Sequence, residues 1–107
     1  MFSKEELVGL HATDLHDTVR AHVWVSGCVQ GVGYRAFTCL QADFHRVSGW
    51  VRNGEDGRVE VDVQGSRIAL GHFLGDLHRG PRFSSVDNVD VHWMEPEIRE
   101  VGFEVLY

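Results

Sequence analysis

Residues Arg58–Gly65 read RVEVDVQG, an unbroken alternation that sets Val59, Val61 and Val63 to one side and Glu60, Asp62 and Gln64 to the other. A period of two belongs to a β-strand with one dry face and one wet face, and such a strand needs a covering layer on its dry side alone. The preceding segment Val47–Asn53, VSGWVRN, is rich in β-branched and aromatic residues and is joined to it by GEDG, a hairpin turn. An earlier alternation, AHVWVSG, sets Ala21, Val23 and Val25 against His22, Trp24 and Ser26 and marks a first strand. Between the strands the period becomes helical. Phe37, Leu40 and Phe44 form one apolar stripe that ends near Arg46, and Leu70, Phe73, Leu74 and Leu77 form another that stops at Gly80 and Pro81. Gly71 and Gly75 each weaken that second helix by about 1 kcal/mol relative to alanine, so packing has to hold it. Ser85–Trp93 adds a strand through Val89, Val91 and Trp93, and Gly102–Tyr107 a short last one through Phe103, Val105 and Tyr107. The order β-α-β-β-α-β plus a terminal strand predicts an α+β split βαβ arrangement, two helices on one face of a four- to five-stranded antiparallel sheet.

At 107 residues, one domain accounts for this pattern, spanning residues 21–107. Residues 1–20 read as an N-terminal extension, disordered or folded as a short helix, since Ser3 and Glu6 have capping-box spacing and Leu7 and Leu10 share a side. The start MFSKEELVGL is acidic and its apolar run is too short for a secretory signal, and no later stretch is long enough to span a bilayer. With only Cys28 and Cys39, and an ordinary apolar content, the chain needs no disulfide framework, and a cytoplasmic setting is expected. The formal charge of −6 argues against a sequence-independent nucleic-acid surface and leaves room only for a local positive spot.

That spot lies in GCVQGVGYR, Gly27–Arg35, where three glycines lead from a strand into a helix. Successive backbone N–H groups and the positive end of a helix dipole converge there, which is the arrangement that binds an anion. Arg35 falls in the first turn of the helix, where a positive charge opposes the dipole at a cost of about 0.3–1 kcal/mol. A phosphate held jointly by loop amides and the guanidinium removes that conflict. A solvated arginine whose stem covers apolar surface is the plainer alternative. GYRAF lacks the Lys-Ser/Thr pair of a nucleoside-triphosphate loop, and GVGYRA fits a dinucleotide fingerprint only by accident, because two helices cannot build a doubly wound sheet. The seven histidines show no zinc spacing, so no metal is expected. Trp24, Trp50 and Trp93 read as sheet packing, and an RNA-binding surface is disfavoured because exposed basic and aromatic residues do not come together on the central strands.

VSGCVQGVGYR followed by GWVRNGEDGRVEV, then Gly80-Pro81 and the terminal FEVLY, resembles the acylphosphatase family over about Arg20–Tyr107. The resemblance implies a ferredoxin-like α/β sandwich and metal-independent hydrolysis of a carboxyl-phosphate bond. It further implies that loop amides and Arg35 bind phosphate and that Asn53 positions the attacking water. Cys28 and Tyr34 depart from the commoner residues of the motif without removing a group that has an assigned role. Asn53-Gly54 is also a favoured turn dipeptide, and the two roles are compatible.

The chemistry is coherent with these residues. An acyl phosphate expels a carboxylate whose conjugate acid has a pKa of about 4, so it leaves unprotonated and the loop needs no acid or metal. What remains is to gather the phosphoryl oxygens, neutralise them and aim a water in line. The expected cradle consists of Val29, Gln30, Gly31, Val32, Gly33, Tyr34 and Arg35, with Arg35 and Asn53 as the catalytic pair and no cofactor. The expected partners are a small-molecule acyl phosphate and inorganic phosphate, the latter as product and competitive inhibitor, with no nucleic acid, no membrane and a monomeric chain. A non-catalytic phosphate-binding module is the competing class, and it has no use for the water-orienting amide of Asn53.

Overall fold

The computed structural model describes residues 17–107; the Ser3–Glu6 and Leu7–Leu10 patterns lie outside the described residues. The elements are β1 (Thr18–Cys28), α1 (Tyr34–His45), β2 (Ser48–Asn53), β3 (Val59–Ser66), α2 (Arg67–Arg79), β4 (Ser85–Met94) and β5 (Phe103–Leu106). They form one sheet in the order β4-β1-β3-β2-β5. Three of the four pairings are antiparallel, as expected, but β5 joins β2 in parallel, so the sheet is mixed. The alternation of a short strand carries no directional information, and here direction is set by a connection that must travel from one edge of the sheet to the other.

The valines of β1 and β3 face one another across the ladder, with Val23 opposite Val61 and Val25 opposite Val59. They are fully buried beneath Leu70, Phe73 and Leu77 of α2, the stripe expected from sequence. Each such side chain contributes about 1.5–3 kcal/mol, which outweighs the weak helix propensity of Gly71 and Gly75. Ser66 starts α2 by accepting a hydrogen bond from the Ala69 N–H at 3.2 Å. Among the described residues no helix is long and apolar enough to cross a membrane.

Helix α1 corrects the stripe read from its sequence. Leu40 and Phe44 are 67% and 78% exposed, while Tyr34, Thr38 and Ala42 face the core. The rotation is set by polar contacts that hydrophobicity does not register. The Tyr34 hydroxyl donates to the Leu77 carbonyl of α2 at 2.6 Å, while Thr38 satisfies its buried hydroxyl within the helix, on the Tyr34 carbonyl at 2.8 Å. Arg35, one residue further round, reaches β5, where it donates to the Leu106 carbonyl at 3.2 Å.

The polar side of β3 also differs from the wet face expected: Glu60, Asp62 and Gln64 are buried. The 95–102 connection crosses this face, with the Gln64 side chain exchanging hydrogen bonds with the Glu97 backbone and Arg99 donating to Asp62 at 2.8 Å. Arg20 and His22 add further bonds to Asp62. Basic and aromatic side chains do share this face, contrary to expectation, because Arg58 lies over Trp24 and Arg52 over Trp50. Both guanidiniums are also paired with carboxylates, Arg52 with Glu60 and Arg58 with Asp56.

Candidate active site

Strand β1 shifts register between Ser26 and Gly27 against β4 and stays paired with it to Cys28, where the chain leaves the sheet. Gly27 has φ 125°, and a Cβ there would meet the Ser85 carbonyl oxygen at 2.2 Å, so both conformation and space require glycine. The chain then passes through Gly31 to Gly33, which stands at the helix N-cap in the left-handed region, φ 78°, with no side-chain cap. No acidic residue occupies the first turn of α1, so its N–H groups and dipole face the loop without a neutralising group.

A cavity of about 190 Å³ opens at this helix end, bordered by Val29, Gly31, Gly33, Tyr34, Arg35, Ala36, Asn53, Val105 and Tyr107. It is below the size of a drug-like ligand site and suits a small group such as a phosphoryl. Six of the residues expected from sequence border it. Gln30 and Val32 do not: the Gln30 side chain turns to the β2–β3 hairpin, and Val32 packs against the core. Tyr34 borders it too, while its phenol is buried, bonded to the Leu77 carbonyl and pushed well above its ordinary pKa by desolvation. It cannot serve as an acid near neutral pH.

Two features have no local sequence signal. The guanidinium of Arg35 lies 4.8 Å from the centroid of the Tyr107 ring and donates to the Leu106 carbonyl. These residues reach the cavity because the parallel register places Leu106 beside Arg52, one residue before Asn53. The sequence marks FEVLY as a strand, but its neighbour is a tertiary fact. None of the ion pairs among the described residues includes Arg35. Asn53 ends β2 opposite Val59, and its half-buried side-chain amide has no hydrogen-bond partner among the described residues. The site therefore presents one unpaired cation, one free amide and a row of backbone donors, with no Asp, Glu, His or Lys on the cavity wall.

A larger cavity of about 600 Å³ lies on the other side of the sheet, bordered by Arg20, His22, Trp50, Asp62 and Arg99 among others. Arg20 and Arg99, its two cations, are both committed to Asp62, and the carboxylates left over on its wall, Glu100 and Glu104, would repel an anion. The smaller cavity is the chemically equipped one.

Residues 21–105 match the family model for acylphosphatase. The acylphosphatase of Chloroflexus aurantiacus is 45% identical over 91 residues, covering 85% of this chain and 99% of that protein. The crystal structure of acylphosphatase from Bacillus subtilis superposes with a TM-score of 0.80 at 35% identity, covering 83% of this chain and 99% of that one. The acylphosphatase structure from Coxiella burnetii gives 0.80 at 32% identity, over 85% and 95% of the two chains.

Proposed function

The chain belongs to the acylphosphatase family and is an acyl phosphate hydrolase, and we propose that Arg35 and the loop amides hold the phosphoryl group of its substrate while Asn53 directs water at phosphorus. The observation that carries this reading is that the unpaired guanidinium and the free amide, 18 residues apart in sequence, border the same cavity at a helix N-terminus.

The guanidinium, held from behind by the Leu106 carbonyl and the Tyr107 ring, presents its remaining N–H groups to two phosphoryl oxygens. The amides around Gly31, Gly33 and Tyr34 take the rest. Charge-assisted bonds of this kind are worth about 1.5–3 kcal/mol each, so a few suffice for useful affinity. The phosphate also relieves the conflict between Arg35 and the helix dipole. Water hydrogen-bonded to Asn53 attacks phosphorus, the phosphorus–acyl oxygen bond breaks, the carboxylate departs with the bonding pair, and both protons of the water stay on the dihydrogen phosphate formed. The carboxylate needs no proton at neutral pH, which agrees with a wall that has no general acid. The rate then comes from position and electrostatics.

The deciding experiment is hydrolysis of benzoyl phosphate by purified protein in excess chelator, with inorganic phosphate as inhibitor. Rapid turnover that resists chelator and is competitively inhibited by phosphate is expected. Tight phosphate binding without turnover would instead identify a binding module.

A further inference from the structure

The proposed mechanism requires the amide of Asn53 to face a phosphate held by a loop that comes from a different strand. In the sheet, β1 and β2 are not neighbours, because β3 runs between them. Val25 and Asn53 both pair with Val59, so this row is the last place where the ladder fixes their separation, two strand spacings of about 4.8 Å. Beyond it β1 keeps only its pairing with β4, as far as Cys28, before the glycine loop, and β2 gives way directly to the 54–58 turn.

A side chain spans that gap. Gln30, in the middle of the loop and half-buried, donates from Nε2 to the Gly54 carbonyl at 2.8 Å and to the Arg58 carbonyl at 3.0 Å. Arg58 closes the turn through the same carbonyl, which accepts from the Gly54 N–H at 2.7 Å. Both hydrogens of one amide are thus committed to the turn that begins immediately after Asn53. We propose that Gln30 is a positioning residue, which locks the glycine loop to the β2–β3 turn so that Arg35 and Asn53 address the same phosphorus atom.

The chemistry of the bridge narrows what can replace it. Glutamate has the same length but, when ionised, offers two acceptors to two carbonyls. Asparagine is one methylene short. The inference rests on the proposed roles of Arg35 and Asn53, and it predicts that Gln30 acts on turnover through Asn53 rather than on phosphate affinity.

A double-mutant cycle in the full chain tests it, reading kcat for benzoyl phosphate and the inhibition constant of phosphate. Gln30→Ala and Gln30→Glu should each lower kcat about 10–100-fold, the scale of an ångström-sized misplacement, with phosphate inhibition changed less than about twofold in the uncharged Gln30→Ala. In an Asn53→Ala background, Gln30→Ala should cost less than about threefold, because the group it positions has gone. Gln30→Glu should also regain kcat relative to wild type as pH falls toward the ordinary glutamate pKa of about 4.3, when its protonated carboxyl again donates one bond. If Gln30→Ala does not fold, the uncharged Gln30→Met, of similar length and with no N–H to donate, carries the same cycle. Fully additive losses, or phosphate affinity falling in step with kcat, would overturn the inference while leaving the proposed function standing. An inactive wild-type chain would remove both.

Discussion

The arginines on the two sides of the sheet live in opposite circumstances. On the side away from the helices, Arg20 and Arg99 converge on Asp62 with contacts of 3.0 and 2.8 Å, and both also reach Glu97. On the helix side, Arg35 has a carbonyl and an aromatic ring for company but no carboxylate among the described residues. The paired arginines fasten the 95–102 connection to the sheet, and through it they set where β5 lies. The unpaired one sits at the end of a helix whose dipole it opposes, a placement that makes sense when an anionic ligand completes it. A saturated arginine is an element of structure, whereas an arginine held in position but left electrostatically incomplete is available for chemistry.

The contrast breaks most sharply on Arg35→Ala. Turnover and phosphate binding should fall together by at least about 10²–10³-fold, by analogy with loss of an oxyanion donor, and the denaturation midpoint should scarcely move. Arg35→Lys should recover little, because an ammonium lacks the two-pronged contact. Asn53→Ala should lower kcat on a similar scale and leave phosphate inhibition nearly unchanged, which steady-state kinetics with phosphate as inhibitor resolves. Equal, modest effects of both substitutions on both quantities would dissolve the division of labour.

The reverse pattern is expected at Asp62, whose side chain is only 3% exposed. Asp62→Asn removes the buried charge shared by two guanidiniums, leaving them only the half-exposed Glu97, and should cost about 3 kcal/mol of stability in urea titration, while kcat of the folded fraction stays near wild type. Burial by itself would raise this carboxyl, but hydrogen bonds from Arg20, Arg99 and His22 together with the charge of Arg99 hold it below its ordinary 3.8. On acidification the unfolded carboxyl therefore takes up its proton first. The stability it supplies is complete above about pH 4 and drains away as pH falls through the lower folded value. Asp62→Asn should flatten that acid limb.

The smallest effect sharpens what holds Arg35 still. Tyr107→Ala removes a ring from an exposed cation–π contact worth about 0.5–1 kcal/mol, so phosphate inhibition should weaken about two- to fivefold. Tyr107→Phe should behave as wild type. A larger loss with phenylalanine would transfer the role from the ring to the hydroxyl.

Much of this organisation is legible in the chain. The valine alternations fix β1 and β3 and their dry side, and Leu70, Phe73 and Leu77 fix the buried face of α2, because burial of large apolar groups dominates there. The site was legible wherever backbone chemistry dictates residue type, as with Gly27 at a close approach and Gly33 at a left-handed cap. The reading of α1 failed where polar anchors outweighed apolar size: Leu40 and Phe44 face solvent so that Tyr34 can reach Leu77 and Arg35 can reach Leu106. Glu60 and Asp62 look like solvent-facing residues in sequence and are buried because Arg52 across the hairpin meets Glu60 and the distant Arg20 and Arg99 meet Asp62.

The sequence by itself determined the order of elements, the dry face of the sheet and the glycine path into a helix that ends on a positive charge, because each depends on neighbours a few residues away. Tertiary structure decided the parallel place of β5, the rotation of α1 and the meeting of Arg35, Asn53 and Tyr107. Those depend on which strands lie side by side and which distant polar groups find each other, and local periodicity contains no record of such pairings.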